Sequence, residues 1–209
     1  MKGDGSLAKR ESKESKKERI LQAALHLFSS QGFHATTTKE IAAACHVAEG
    51  LIFYYFGDKR ALLLAIVRNF TFLMRLEGDG LSFAKLPMDE ALYRYGLSYL
   101  SFLKDNIAYI RLIWSPELLQ DDEVSKEVMT LIGRIGSAGG DLLDTGTVHS
   151  GQPDKDLQEI AMTMMTSTLL VHFLLQSRSG QDTAPGEEEA YIRKVVHLLL
   201  HGLLNERLT

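Results

Sequence analysis

The sequence predicts an all-α protein: an N-terminal three-helix unit with a helix-turn-helix, then a larger C-terminal helical unit. Three observations predict it. Apolar side chains recur at helical spacing from Ile20 to the C-terminal region, and no alternating β pattern interrupts them. Helix start and stop signals punctuate the chain, among them Thr37-x-x-Glu40, Asp58 and Pro116. Hydrophobic residues make up 45% of 209, enough for a substantial core.

The elements follow in order. Residues 1–13, rich in Lys, Glu, Ser and Gly, bury no apolar surface and are expected to form a flexible basic arm. Lys9 to Arg19 has two readings, a solvated tail or an arm that follows a polyanion. Ile20, Ala24, Leu27 and Phe28 form one helical stripe, and Gly32 stops that helix with Phe33 behind it. Thr37 and Glu40 make a capping box for a second, short helix with Ile41 and Ala42 inward. His46 and Val47 turn the chain into a third helix carrying Leu51, Ile52 and Phe53, with Phe53 and Phe56 expected to anchor it in the core. Gly50 is expected to let that helix approach its neighbours closely. Asp58 caps a fourth helix with Leu62, Ile66, Phe70 and Leu73 on one face. Further helices are expected at 88–104, 107–114, 123–143, 157–176 and 187–204, the third weakened by Gly133, Gly136, Gly139 and Gly140. The domains are then 1–13, 14–74 with the motif at 37–56, and 75–209.

Composition narrows the function. A lone cysteine, Cys45, excludes an internal disulfide framework. The first residues hold no apolar segment of the secretory kind, and no apolar run looks long enough to cross a bilayer. The expectation is a soluble, cytoplasmic protein. Net charge is −4, but residues 1–60 hold ten basic against seven acidic side chains and the rest thirteen against twenty. That asymmetry points to a polyanion partner for the N-terminal end.

The spacing of the second and third helices describes a helix-turn-helix, whose later helix enters the major groove of DNA. The stretch ILQAALHLFSSQGFHATTTKEIAAACHVAEGLIFYYFGDKRALL resembles the DNA-binding domain of the tetracycline-repressor (TetR) family. The matching positions are Ala24, Leu27, Phe28, Gly32, Thr36, Thr37, Ile41, Ala42, Val47, Gly50, Tyr55, Phe56, Lys59 and Leu62. The resemblance implies double-stranded DNA as partner, with Tyr55 and Lys59 on phosphates and Tyr54 facing the groove. The expected DNA-binding set is Thr37, Lys39, Glu49, Gly50, Leu51, Tyr54, Tyr55 and Lys59. Four positions depart from the family pattern, and a fifth, Glu49, lies where the family varies. Cys45 stands for alanine, His46 for a turn glycine, Ala48 for a Ser/Thr cap, and Leu51 for a common threonine. Glu49 repels DNA unless it accepts from a cytosine amine, and Leu51 can pack on a thymine methyl.

For the larger unit the resemblance implies effector binding and dimerisation, with repression the commoner outcome. Tyr95, Tyr99, Trp114 and Met165 are the expected walls of a pocket for an apolar or amphipathic small molecule. No cofactor is expected. Apolar surface on 157–176 and 187–204 exceeds what a lone bundle needs, so these helices are expected to build a homodimer. Its two reading helices would sit about 34–36 Å apart, or a multiple of it, on a palindromic operator. His197 and His201 have metal-compatible i, i+4 spacing but no H-E-x-x-H context, so no metal is expected and they read as surface or interface histidines. Two other classes stay open: a helical enzyme, for which no phosphate loop, nucleophile elbow or acid pair is visible, and a dimeric binding protein that has lost DNA recognition.

Overall fold

The computed structural model describes residues 13–69, 86–144, 155–179 and 186–202. Ten helices run through them: α1 (Lys13–Gln31), α2 (Thr38–Ala44), α3 (Glu49–Phe56), α4 (Lys59–Asn69), α5 (Met88–Asp105), α6 (Ile107–Ile113), α7 (Pro116–Leu119), α8 (Asp122–Asp144), α9 (Lys155–Ser179) and α10 (Glu187–His201). No strand occurs among the described residues. Residues 1–12 of the expected arm (1–13), Phe70 and Leu73 of the fourth helix, the domain boundary near 74 and the chain beyond Gly202 lie outside them, while Lys13, the arm's last residue, already belongs to α1.

The helices α1 to α4 form a head. Ile20, Leu21, Ala24 and Phe28 of α1 meet Ile41 and Ala42 of α2, Ile52 of α3, and Leu62, Leu63 and Ile66 of α4. Phe33 closes this core edge-on to Phe28, with ring centroids 5.2 Å apart. The body, α5 to α10, packs Tyr95, Leu103, Leu112, Val124, Met165, Leu169 and Ile192 into the same continuous core.

Two glycines explain close helix approaches in the body. A Cβ on Gly96 of α5 would stand 2.7 Å from Ile192 Cγ2 and 3.0 Å from Met165 Cε, so α5, α9 and α10 meet there. A Cβ on Gly136 of α8 would stand 2.8 Å from Thr163 Oγ1 of α9. The glycines of α8 therefore do not break the helix, which runs unbroken to Asp144; packing offsets their poor propensity.

Two expectations need correction. The four-residue α7 was missed; Ser115 caps it and Pro116 occupies its first position, a start signal present in the sequence. And α9 is, by length and composition, apolar enough to cross a bilayer, contrary to the reading that no run is. Its Met162, Met165, Leu169 and Phe173 are nevertheless buried in the body.

Candidate nucleic-acid interface

The head holds α2 and α3 through local chemistry that the sequence announces. Gly32 has φ +92°, in the left-handed region that L side chains resist, and its N–H donates to Phe28 O at 3.1 Å to end α1. Thr36, fully buried, donates its hydroxyl to Gly32 O at 2.8 Å. The capping box forms as expected. Glu40 N–H donates to Thr37 Oγ1 at 3.2 Å, while Glu40 Oε2 accepts from Thr37 N at 2.7 Å and from its hydroxyl at 2.8 Å. Those bonds hold the Glu40 carboxyl below its ordinary range. Thr37 is thus exposed, but its hydroxyl proton is committed to Glu40.

The turn carries the expected defects. His46 sits at φ 54°, the one non-glycine residue with positive φ among those described. Ala48 stands at the N-cap of α3 with extended backbone and no side-chain bond. Cys45 is buried and points its thiol at Ile41 O, 3.1 Å away; burial raises its pKa, so it is an inert core group.

On α3 the structure redraws the expected roles. Ile52 is fully buried and Phe56 half-buried, four residues apart on one side of the helix. Phe53 lies about 100° further round and is 47% exposed. It is not an anchor. Glu49, Gly50, Phe53 and Tyr54, the last 69% exposed, form one contiguous outer face. Leu51 and Tyr55 sit at its margins, half-buried against the core, which weakens Leu51 as a thymine reader. A Cβ on Gly50 would meet nothing within 4 Å, so this glycine does not serve the close helix packing expected of it. Tyr54 and Tyr55 are edge-to-face at 5.1 Å. Glu49 is tied to α2: Thr38 donates its hydroxyl to Glu49 Oε1 at 2.6 Å.

Lys39 projects from the first turn of α2 and is exposed. Lys59, expected on a phosphate, is half-buried and makes contacts within the head. Its ammonium donates to Phe33 O at 2.8 Å, His34 O at 3.4 Å and Thr36 O at 2.8 Å, and stands 4.5 Å above the Phe33 ring. Three acceptors take its three protons, so Lys59 positions the segment leading into α2 while its ammonium keeps its charge. Asp58 caps α4 as expected, accepting from Ala61 N at 2.7 Å.

Sequence reasoning missed the links from body to head. Glu117 of α7 accepts from Phe33 N at 3.0 Å and His34 N at 2.7 Å, bracing the loop that starts α2. Arg60 forks onto Asp121, at 2.6 and 2.9 Å, and also reaches Glu123 at 2.9 Å. Arg60 lowers the Asp121 pKa from 3.8 to about 2, with help from the Val124 N–H. Arg68 donates from Nε and Nη2 to one oxygen of Glu127, Oε1, and lowers its pKa. Tyr109 of α6 donates to Val67 O at 3.1 Å.

In the body, Tyr99 and Trp114 line two adjoining recesses of about 40 and 130 Å³, together with Ile132, Ile135 and Leu170; Thr166 and Ser167 add polar atoms to the larger. Tyr95 and Met165, the other two expected walls, are fully buried core residues outside these linings. His197 and His201 are exposed on α10 with rings 4.9 Å apart.

Residues 20–66 match the family described as bacterial regulatory proteins, tetR family. The HTH-type transcriptional regulator YerO of Bacillus subtilis (strain 168) is 29% identical over 117 residues, 54% of this chain and 39% of YerO. The regulator HbdR of Aromatoleum sp. (strain CIB) is 43% identical over 56 residues, 27% of this chain and 24% of HbdR. The chain thus spans well under two thirds of these curated relatives. The crystal structure of the transcriptional regulator FadR from Bacillus subtilis in complex with stearoyl-CoA shares the fold, with TM-score 0.69 and 21% identity over 89% of this chain and 98% of that one. The matches are to regulatory proteins, which sets the enzyme alternative aside. Residues 20–66 thus match that family's DNA-binding domain, and the chain shares the FadR fold over nearly its whole length.

Proposed function

We propose that this protein is a DNA-binding transcriptional regulator that works in the cytoplasm as a homodimer and represses from a palindromic operator until a small molecule releases it. The observation that carries the DNA reading is the outer face of α3. Glu49, Gly50, Phe53 and Tyr54 face outward from a helix that the capped α2 and buried Ile52 hold rigidly. An exposed aromatic pair beside a glycine with open space is an ill fit to solvent and a good fit to a groove. Lys39 beside it supplies a cation for a phosphate. A mobility-shift assay with the DNA upstream of the protein's own gene tests this. Retardation that weakens steeply as salt rises is expected. No salt-sensitive binding to any genomic fragment would remove the DNA reading.

The dimer reading rests on α9. Leu157, Ile160, Met164, Val171 and Leu175 are all exposed and share one side of the helix. Leu198 and Leu200 of α10 are exposed as well. An aliphatic stripe over so many turns needs a cover, and a second copy brings an identical one. A bilayer is the poorer cover, because the opposite side of α9 is locked against α5 and α8 at Gly96 and Gly136.

For the effector, the FadR structure holds stearoyl-CoA, and an apolar or amphipathic molecule suits the aromatic recesses at Tyr99 and Trp114. Those recesses are smaller than the ~300 Å³ at which ligand sites begin, so the ligand must part α6, α8 and α9 to enter. Movement of Trp114 would reach Glu117, three residues on, and through it the amides of Phe33 and His34. A ligand acts only if it favours one arrangement over the other. A thermal-shift screen with fatty acyl compounds tests the response. Stabilising compounds are expected to weaken DNA binding, and the reading fails if all of them leave it unchanged.

A further inference from the structure

The reading face of α3 has an unusual chemical composition. The helix is EGLIFYYF and contains no Arg, Lys, Asn or Gln. The bidentate pairs that specify guanine through Arg or Lys, and adenine through Asn or Gln, are therefore unavailable from it. Lys39 of α2 is exposed and suits a phosphate, while Arg19 of α1 and the basic side chains of α4 are engaged elsewhere. Arg19 donates to Cys45 O, Lys59 to three carbonyls, and Arg60 and Arg68 to carboxylates of the body. The outer face offers one charged group, the Glu49 carboxylate, flanked by Gly50 and the two aromatics.

That carboxylate is also oriented. Thr38 holds Oε1 at 2.6 Å, which ties the side chain to the first turn of α2 and limits its rotamers. A carboxylate so placed accepts hydrogen bonds and donates none. In the major groove, guanine presents N7 and O6 and thymine presents O4, all acceptors that repel it. Adenine presents a donor at N6, but N7 beside it is an acceptor. Cytosine presents N4–H₂ with no neighbouring acceptor on its own edge. Building on the DNA-binding reading above, we infer that Glu49 is a specificity-determining residue: it accepts from the N4 amine of a cytosine in each operator half-site.

Selection of binding sites from a randomised duplex library tests this, using the full chain and its Glu49→Ala and Glu49→Gln variants. For the wild-type chain, each half-site is expected to hold one cytosine whose replacement by thymine lowers affinity about tenfold. Glu49→Ala should lose discrimination at that base pair alone, keeping the remaining motif and its salt dependence. Glu49→Gln keeps the side-chain shape and its bond to Thr38, and should move the preference at that pair to adenine. A purely structural role for Glu49 would lower thermal stability and leave the selected motif unchanged. Either variant selecting the same base with the same discrimination overturns the inference and leaves the DNA reading standing. A wild-type chain that enriches no motif overturns both.

Discussion

Among the described residues, the outer faces of α3 and α9 both expose large apolar side chains, and they differ in kind. On α3 the exposed residues are aromatic, Phe53 and Tyr54, confined to two turns and set beside a carboxylate and a glycine. On α9 they are aliphatic, from Leu157 to Leu175, and run along almost the whole helix. The short mixed face offers hydrogen-bonding atoms and flat rings, which suits a partner with bases and methyl groups. The long aliphatic face offers almost no hydrogen bonds, and only another apolar surface covers it well. Exposure alone does not announce a partner; the chemistry around the exposed atoms distinguishes nucleic acid from protein.

The largest expected effect sharpens where the face of α3 ends and its anchor begins. Ile52→Ala should cost about 2–5 kcal/mol in chemical denaturation, because Ile52 is fully buried. Phe53→Ala, one position on, should cost no more than about 0.5 kcal/mol while weakening DNA binding. Equal costs at the two positions would break the distinction. Next comes the face of α9. Met164→Asp with Val171→Asp should shift the protein from dimer to monomer in light scattering at micromolar concentration, with circular dichroism unchanged because both side chains are exposed in the monomer. A wild-type monomer would remove the α9 half of the contrast.

Smaller and pH-dependent is the joint between head and body. The Asp121 pKa is depressed from 3.8 to about 2 by Arg60. A depressed carboxylate contributes stability that is present above its ordinary pKa and lost as pH falls through the folded value. The Arg60–Asp121 contact should therefore weaken between pH 4 and 2, with Glu127 adding to the loss in the same direction. Trp114, the lone tryptophan, is partly exposed near α7 and reports the change by its emission. In Arg60→Gln the acid step should move up toward pH 4. Both partners are solvent-accessible, so salt should shrink the difference.

The head was far more legible in the sequence than the site upon it. Gly32, the Thr37–Glu40 box and Asp58 are local signals, each carried by side chains within four residues of the backbone they cap, so the sequence displays them directly. The helices of the body were visible in their periodicity, except α7, which is too short to show a period. The facing of Phe53 was available from geometry, since Ile52 and Phe56 are four apart and Phe53 falls off their side. The role of Lys59 was not. Its acceptors lie 23 to 26 residues away, and only the folded head brings Phe33 and Thr36 to it. Glu117 is more distant still, 84 residues from Phe33. Tyr95 and Met165 resemble Tyr99 and Trp114 in composition, and only packing separates core from recess.

The smallest expected effect lies in the two helices of the motif, whose starts differ. Thr37 caps α2 with a reciprocal box, whereas Ala48 leaves α3 without a side-chain acceptor. The backbone at Ala48, φ −70° and ψ 137°, already has the extended shape a capping residue adopts. Ala48→Ser therefore needs no backbone change. It should raise stability by about 0.5–1 kcal/mol, read as a shift in denaturation midpoint with the slope unchanged. If the start of α3 is loose until DNA orders it, the variant should also bind its operator more tightly, because less order is gained on binding. If stability rises and affinity does not, α3 is already ordered in the free protein. The missing cap would then be a plain cost in stability, and Thr38 holding Glu49 would be enough to fix the first turn.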